Sequence, residues 1–200
     1  LGVPIVRRGQ RFDGFTPEGE RVLRWARQII ADGDNLKQEL AAFRAGLTGR
    51  LRLGAIPATL PTISLLTTAF HRKYPGVAVT ILSMTSREIE RGLEDFELDA
   101  GMTYLENEPL RGVKALPLYD ERYLLLTPAG GAFDGRRSVR WAEAAELPLC
   151  LLTPDMQNRR IVDAVFRRVR RTPRAAIETD SVMALCSHVR FGQWSSVMPH

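Results

Sequence analysis

A long helical pattern dominates the first quarter of the chain. Thr16-Pro17-Glu18 has the features of a helix start: threonine can cap a helix, proline fits its first turn, and glutamate suits the positive end of the helix dipole. Small and apolar residues then recur at alternating spacings of four and three, namely Val22, Ala26, Ile29, Gly33, Leu36, Leu40, Phe43 and Leu47. This 3.5-residue repeat is typical of a coiled-coil seam. It predicts a helix over 16–48 that dimerises through Ile29, Leu36, Leu40 and Phe43. Burial of the stripe against the chain's own domain is the alternative.

Two rounds of alternating strands and helices follow the linker at 46–49. The first round is predicted as strand 50–56, helix 61–74, strand 77–82, helix 86–96 and strand 99–104. Extended pieces at 113–118 and 122–127 lead to helix 139–146, strand 148–152, helix 157–171, strand 175–178, helix 181–191 and strand 195–198. Such alternation indicates an α/β fold with parallel strands. We expect one domain at 49–200, with lobe I at about 50–120 and lobe II at about 123–200.

The first segment of the chain carries an excess of positive charge. Residues 1–15 predict a hairpin with its turn near Arg8-Gly9-Gln10. Residues 1–52 hold 10 basic and 6 acidic residues, a net of +4, whereas 53–130 hold 7 and 10, a net of −3. Arg7, Arg8 and Arg11 in the turn favour contact with an anionic partner such as nucleic acid. The basic run at 159–174 is interpreted instead as the solvated face of a helix, since apolar residues line its other face.

Motifs of catalysis and metal binding are missing from the sequence. It contains no P-loop, no GxGxxG after a strand, no GxSxG and no HExxH. Ser195 and Ser196 have no histidine and aspartate arrangement to support a nucleophile, and the three histidines form no cluster. Cys150 and Cys186 lack metal-ligand spacing and are interpreted as small buried side chains. The sequence thus offers no argument for an enzyme, a cofactor or a metal site, and no apolar run approaches the roughly 18–20 residues of a membrane span.

Small hydroxyl and amide residues follow several of the predicted strands. Thr59 lies in the turn at 56–61, Ser86 and Thr103 follow two further strands, and the turn at 153–158 leads into a helix of the second round. In open α/β sheets ligands bind beyond the carboxyl ends of the strands, and helix N-termini attract anions. The pattern predicts a small-molecule site at this edge. Simple helix capping by the hydroxyl residues is the alternative.

Four stretches of the sequence resemble the LysR-type transcriptional regulators. LGVPIVRRGQRFDGFTPEGERVL is similar to the end of the family's winged helix-turn-helix, where a hairpin wing precedes a Thr-Pro-x-Gly-Glu helix start. TSREIERGLEDFELDAGM is similar to the family's Leu-x-x-Gly-x-x-Asp-x-Gly/Ala pattern, with Phe96 and Glu97 in place of the usual small turn residue. LTGRLRLGAIPATLP resembles the start of the effector domain. HVRFGQWSSVMPH resembles a late glycine-containing strand approach, with Gln193-Trp194 in place of the second glycine.

The resemblance implies a role for each part of the chain. It implies a DNA-contacting wing at 1–15, a dimerisation helix at 16–48 and a two-lobed, periplasmic-binding-protein-like effector domain at 49–200. Arg7, Arg8 and Arg11 become candidates for phosphate or minor-groove contacts. The implied effector contacts are Pro57, Ala58, Thr59, Ser86, Met102, Thr103, Thr153 and Asn158. Asp155 would disfavour an anion if it faced the site, so the charge of the effector stays open, with a carboxylate as a candidate.

The resemblance also implies partners and a cell compartment. The expected partners are DNA, a small-molecule effector and further copies of the chain in a homodimer or homotetramer, without membrane contact and in the cytoplasm. The recognition helix would precede Leu1 and the family's last strands and helix would follow His200, so we expect a fragment of a longer protein. The alternative is a two-lobed small-molecule-binding protein or enzyme of the same fold without DNA binding. That alternative leaves the first 48 residues unexplained.

Overall fold

The computed structural model describes residues 2–7, 12–45, 47–106, 110, 112–131 and 133–200, and for 38, 39 and 41–45 it describes the backbone alone. The helices are α1 (Pro17–Ala45), α2 (Leu60–Lys73), α3 (Ser86–Glu94), α4 (Trp141–Ala144), α5 (Gln157–Arg168) and α6 (Val182–Phe191), with a 3-10 turn at Pro57–Thr59. The strands are β1 (Gly49–Ala55), β2 (Val77–Ser83), β3 (Ala100–Met102), β4 (Tyr123–Leu126), β5 (Leu149–Leu152), β6 (Ala175–Thr179) and β7 (Ser196–Pro199). The predicted α/β alternation is therefore confirmed.

The chain divides into two compact units. The first unit comprises residues 1–54, 62–82 and 87–102, and its three-stranded sheet has the order β2-β1-β3. The second unit comprises 55–61, 83–86 and 103–200. The turns that follow β1 and β2 thus belong to the second unit, although the strands themselves lie almost wholly in the first.

The start of α1 is bonded directly to the hairpin that precedes it. The Thr16 hydroxyl caps the helix by accepting from the Gly19 amide at 2.9 Å, and it donates to the Pro4 carbonyl at 2.7 Å. The Thr16 amide donates to the Ile5 carbonyl at 3.2 Å, and Val6 pairs antiparallel with Phe15. These bonds fix the hairpin to the helix. The predicted hairpin turn at 8–10 lies outside the described residues.

A glycine is required where the hairpin meets α1. A Cβ atom added to Gly19 would lie 1.9 Å from the Ile5 carbonyl oxygen, well inside any nonbonded contact. Gly33, a member of the predicted stripe, has no atom within 4 Å of such a Cβ. The backbone of α1 therefore has room for a larger side chain at Gly33 but not at Gly19.

The apolar stripe of α1 is exposed along much of its length. Ile29, Leu36 and Leu40 are exposed by 67%, 58% and 58%. Phe43, the fourth predicted dimerisation residue, has no described side chain. Within the first unit the helix is held by ion pairs of Arg27 with carboxylates of the loop after α3, at 3.1 and 3.4 Å.

The end of α3 uses an unusual turn residue. Phe96 has a φ of 58°, in the left-handed region that favours glycine. The amides of Glu97 and Leu98 both donate to the Gly92 carbonyl, at 2.8 and 2.9 Å, and close the helix. The strand predicted at 99–104 is shorter than expected, since only Ala100–Met102 is assigned to β3. Asp99 nevertheless fixes its start by accepting from the Arg52 amide at 2.6 Å.

The second unit is a sheet covered by helices on both faces. β5 pairs parallel with β6, β4 pairs antiparallel with β7, and a bridge between Leu149 and Ser195 joins the two pairs. Leu149 and Leu151 pack with Phe166 of α5, whereas Cys150 and Leu152 pack with Leu185 of α6. All four β5 residues are buried, as expected for a central strand with helices on either side.

Two helices of the second unit are shorter than predicted, and one predicted strand is absent. α5 ends at Arg168 rather than Arg171, because Arg170 turns left-handed with a φ of 55° and the Arg171 amide donates back to the Phe166 carbonyl at 3.0 Å. α4 covers only Trp141–Ala144 of the predicted 139–146. The segment 113–118 belongs to no strand. An arginine in a left-handed cap gives no sequence signal, since that position usually holds glycine.

Candidate functional site

A small pocket lies at the turns that follow strands β1, β2 and β5. Its lining consists of Ile56, Pro57, Ala58, Thr85, Ser86, Leu152, Met156, Gln157 and Asn158, all in the second unit. The pocket leaves about 10 Å³ for the centre of a water molecule, about the minimum that one ordered water needs. A larger molecule can enter only if the lining side chains move.

The first turn of α5 forms one wall of this pocket. Met156 is the N-cap residue, and no side chain makes a capping hydrogen bond there. The amides of the first helical turn have no partner within a helix, and they carry the positive end of the helix dipole. This wall therefore favours an acceptor or an anion.

Arg160 adds a positive charge at the edge of the pocket. Its guanidinium donates to the Pro154 and Asp155 carbonyls at 3.2 and 2.5 Å and to the Ser86 hydroxyl at 3.5 Å. The Asp155 side chain is exposed and is not part of the pocket lining. The preceding residue, Arg159, is paired with Asp163 at 3.0 Å and Glu178 at 2.7 Å.

Two amide side chains connect the pocket to a polar cluster behind it. Gln157 accepts from the Thr103 hydroxyl at 3.5 Å and donates to the Glu106 carbonyl at 3.0 Å. Asn158 donates to the hydroxyls of Tyr104 and Tyr123, at 3.2 and 3.4 Å. Both amides are buried, with exposures of 3% and 5%.

Burial sets the protonation of the two tyrosines in this cluster. It raises the pKa of Tyr123 from 10.0 to about 12. It also raises the pKa of Tyr104 well above the ordinary value, an effect partly offset by the hydrogen bond from Asn158 and reinforced by Tyr123 and Glu121. Both hydroxyls therefore stay protonated at neutral pH and can donate as well as accept.

Four of the eight predicted effector contacts line the pocket: Pro57, Ala58, Ser86 and Asn158. Thr59 is buried, and its hydroxyl donates to the Ile56 carbonyl at 3.0 Å inside the 3-10 turn. The hydroxyl of Thr103 bonds Gln157, as described above. Among the described residues, the buried Thr153 hydroxyl has no hydrogen-bond partner. Met102 ends β3 in the first unit and is 8% exposed.

Sequence reasoning missed several residues of the site. Met156 and Gln157 stand in the turn that was singled out, but nothing in the sequence distinguished them from their neighbours. Arg160 was assigned to a solvated helix face, because helical periodicity does not reveal that its guanidinium contacts the Ser86 hydroxyl. Ile56, Thr85 and Leu152 also line the pocket. They lie at or just after strand ends, which is the same position that singled out the predicted effector contacts.

The predicted DNA-contacting arginines are only partly described. Arg7 is exposed, and its amide donates to the Gly14 carbonyl at 3.0 Å across the hairpin. Arg8 and Arg11 lie outside the described residues. Assignment of phosphate contacts to the three arginines stays a prediction.

The serine, cysteine and histidine side chains considered as reactive groups lie in or against the core. Ser195 and Ser196 are 3% and 0% exposed, and Cys150 is 0% exposed, with its thiol pKa raised by burial. The His188 Nδ1 donates to the Ala184 carbonyl at 2.7 Å, and the ring packs against Trp194. Across the part of the chain that is described, no group of three or more histidine, cysteine or acidic side chains could hold a metal ion. In the same part, every helix is too short or too polar to cross a membrane.

Comparison with known proteins places the chain in a family. Residues 44–200 match the LysR substrate binding domain. A probable hydrogen peroxide-inducible genes activator from Streptomyces viridosporus is 34% identical over 158 residues, which cover 76% of this chain and 49% of that protein. The transcriptional activator BauR of Pseudomonas aeruginosa is 32% identical over 140 residues, covering 68% of this chain and 46% of BauR. The chain thus spans about half the length of these two regulators.

A solved structure shows the same fold over the whole chain. A cysteine mutant of OxyR from Corynebacterium glutamicum superposes with a TM-score of 0.70 at 26% identity, covering 100% of this chain and 62% of that one. The match of the family domain over 44–200 extends across more than half of the chain. This chain therefore belongs to the LysR family of transcriptional regulators.

Proposed function

We propose that the chain senses a small effector and passes the signal to DNA as part of a transcription regulator in the cytoplasm. The observation that carries the proposal is the pocket at 56–58, 85–86 and 152–158, which lies beyond the carboxyl ends of three strands in a LysR substrate-binding domain. The chain acts by binding and catalyses no reaction. Its partners are DNA, the effector and a second copy of itself.

The effector is a small carboxylate. The uncapped first turn of α5 offers amide donors, and the Arg160 guanidinium lies within 3.5 Å of the Ser86 hydroxyl at the pocket edge. Both features favour a negative charge. The pocket in this conformation has space for about one water, so the acid requires a wider conformation. The acid stabilises the wider conformation only to the extent that it binds it more tightly than the narrow one.

The hairpin at 2–7 and 12–15 acts as a DNA-contacting wing. Thr16 and Gly19 fix the hairpin to the first turn of α1, so the direction of the helix sets the position of Arg7. A positive side chain on a rigidly attached hairpin contacts phosphates without reading base sequence. Arg8 and Arg11 contribute in the same way.

The exposed stripe of α1 pairs with the same helix of a second copy. Ile29, Leu36 and Leu40 recur at spacings of seven and four and expose more than half of their surface. Large apolar side chains in such a row are stabilised by burial in a helix pair. Phe43 extends the row by a further three residues.

The Streptomyces viridosporus relative is named as a probable hydrogen peroxide-inducible genes activator. The cysteines of this chain do not make the pocket a site of peroxide sensing by thiol oxidation. Thiol oxidation requires an accessible thiolate. Cys150 is fully buried among apolar side chains and its pKa is raised, and neither it nor Cys186 lines the pocket. We therefore infer that this chain responds to a bound ligand.

Matched pairs of acids and amides test the carboxylate proposal. Affinities of the purified chain for small carboxylic acids and their carboxamides are measured by isothermal titration calorimetry. A charge-assisted hydrogen bond contributes about 1.5–3 kcal/mol, so the acids should bind about 13- to 160-fold more tightly than the amides. Arg160→Met should remove most of that preference, whereas Arg167→Met, on the exposed end of the same helix, should leave it unchanged.

Equal binding of acids and amides by the wild-type chain would contradict the charge assignment. Retention of the full preference in Arg160→Met would show that Arg160 is not its source. Far-UV circular dichroism of each variant controls for loss of the α5 turn, which Arg160 also holds through the Pro154 and Asp155 carbonyls.

A further inference from the structure

Exposed arginines are concentrated at the C-terminal end of α5 and in the loop that follows it. The sequence over 167–174 is RRVRRTPR, which holds five basic residues and no acidic one. The five are exposed and are called the arginine edge below: Arg167, Arg168, Arg170, Arg171 and Arg174. Arg171 lies 3.6 Å from the Glu146 carboxylate, and within the described residues the other four side chains make no ion pair or hydrogen bond.

Helix stability accounts for only part of this charge. Arg167 and Arg168 are in the last turn of α5, where positive side chains interact favourably with the helix dipole. Arg170, Arg171 and Arg174 lie beyond the helix and gain little from it. Like charges crowded into eight residues also repel one another, which destabilises the fold. The interpretation as a solvated helix face therefore leaves the last three arginines unexplained.

Arg170 occupies a position that usually holds glycine. Its φ is 55°, its amide donates to the Arg167 carbonyl at 2.9 Å, and the Arg171 amide donates to the Phe166 carbonyl at 3.0 Å. These are the two hydrogen bonds of a Schellman motif, with Arg170 as its left-handed residue. A residue with a Cβ is strained in that conformation, whereas glycine is not. An arginine kept there in spite of strain and repulsion indicates a role for its charge.

The composition of the arginine edge favours nucleic acid over a protein as its partner. The core of a protein interface is rich in apolar and aromatic side chains. Within 167–174 the apolar side chains are a proline and Val169, which is 39% exposed. Interfaces with DNA are polar and strongly positive, and a guanidinium can bind a phosphate through two hydrogen bonds. Single strands are bound by stacking on aromatic rings, which this segment lacks, so duplex DNA fits best.

The arginine edge is well separated from the effector pocket. The pocket includes Gln157 and Asn158 at the start of α5, and the arginine edge begins in the last turn of the same helix. At about 1.5 Å per residue, the helix spans about 18 Å. Both of its ends lie in the second unit. Phosphates bound at the arginine edge would therefore not compete with the effector for the pocket.

We propose that the arginine edge is a second DNA-contacting surface, which binds the phosphate backbone of a duplex without reading base sequence. This goes beyond the proposed function, in which the hairpin at 2–7 and 12–15 contacts DNA. The hairpin belongs to the first unit and the arginine edge to the second. Each surface can therefore be tested by substitutions that leave the other intact.

The salt dependence of duplex binding tests the proposal. A fluorescein-labelled duplex of random sequence is titrated with the 200-residue chain at several salt concentrations, and binding is followed by fluorescence anisotropy. Each phosphate contact contributes about 0.9 to the slope of log affinity against log salt. Arg170→Gly with Arg174→Gln should therefore reduce the slope by about 1.8. Arg87→Gln with Arg91→Gln removes the same charge from exposed positions of α3 and should keep the wild-type slope.

Arg170→Gly alone separates the role of the charge from that of the fold. Glycine adopts the left-handed conformation without strain, so the variant should melt at no lower temperature than wild type. It should nevertheless reduce the salt slope by about 0.9. A purely structural role for Arg170 would instead leave the slope unchanged.

Comparison with the hairpin distinguishes failure of this proposal from failure of the hairpin proposal. A slope that is unchanged in Arg170→Gly with Arg174→Gln but reduced in Arg7→Ala would overturn the second surface and leave the hairpin as the DNA contact. The opposite pattern would support the arginine edge and contradict the hairpin. Absence of duplex binding by the wild-type chain at low salt would overturn both.

Two further results would overturn the proposal. An equal fall in slope in the α3 control would show an effect of net charge and no localised surface. Tighter binding of an oligoglutamate peptide than of the duplex, with loss of that binding in Arg170→Gly, would assign the arginine edge to an acidic protein. If the double variant at 170 and 174 fails to fold by far-UV circular dichroism, Arg167→Gln with Arg168→Gln replaces it, with the same expected fall in slope.

Discussion

Replacing two glycines of α1 by alanine should shift stability in opposite directions. Alanine is better than glycine inside a helix by about 0.8–1.0 kcal/mol. At Gly33 the added Cβ has no atom of its own chain within 4 Å, so that full gain is expected for the monomer. At Gly19 the Cβ would lie 1.9 Å from the Ile5 carbonyl oxygen, so the hairpin must move away from the helix.

The cost at Gly19 follows from the bonds that such a movement breaks. The Thr16 amide to Ile5 carbonyl bond and the Thr16 hydroxyl to Pro4 carbonyl bond both join the helix to the hairpin. Two such bonds contribute about 1–3 kcal/mol together. The helix propensity gain is common to both variants, so Gly33→Ala should exceed Gly19→Ala in stability by about that amount.

The assay is urea denaturation followed by far-UV circular dichroism, with hydrogen exchange at the amides of Arg7 and Thr16 as the local readout. Faster exchange at those two amides in Gly19→Ala, with none in Gly33→Ala, would show that the hairpin has detached. Equal stabilisation by both substitutions would mean that the hairpin does not pack on the first turn of α1.

Further outcomes follow from other parts of the chain. Leu36→Asp with Leu40→Asp should give monomers in sedimentation, whereas a persisting dimer would show that α1 is not the interface. Arg7→Ala in the full-length regulator should weaken binding to specific and random DNA duplexes alike. It should also reduce the slope of log affinity against log salt by about 0.9 per lost phosphate contact, and an unchanged slope would contradict a phosphate role. Phe96→Gly should raise stability by about 1–2 kcal/mol in thermal melting by relieving the left-handed φ, and destabilisation would show that the ring contributes more than the strain costs. The pKa of Tyr123 is raised from 10.0 to about 12, so its contribution to stability is complete below pH 10 and is lost as pH rises toward 12. Melting curves across that range should show a fall in melting temperature in wild type and a smaller fall in Tyr123→Phe.

The elements with strong local signals were predictable from the sequence. Thr16-Pro17 marked the start of α1, and the observed cap is the Thr16 hydroxyl. The alternation of strands and helices from 49 onward gave the α/β class. Helix and strand ends were less predictable where an unusual residue takes a special conformation, as at Phe96 and Arg170, since neither residue type indicates a left-handed turn.

The candidate site was predictable by position but not by side-chain contact. The rule that ligands bind beyond strand ends pointed to the turns holding Ala58, Ser86 and Asn158, and these three line the pocket. Sequence could not show that the Thr59 hydroxyl is used inside its own turn, or that Arg160 reaches the pocket edge, because both depend on rotamers and on distances across the fold.

Binding of a small carboxylate at the pocket at the start of α5 is the proposal on which the sensing function depends. The most direct test is a titration of the nitrogen-15-labelled chain with the tightest-binding acid of the panel, followed by two-dimensional NMR. We expect the largest shifts on the amides of Ala58, Ser86, Gln157 and Asn158, and a weaker response in Arg160→Met. Shifts confined to other parts of the chain, or no shifts at saturating acid, would contradict the proposal.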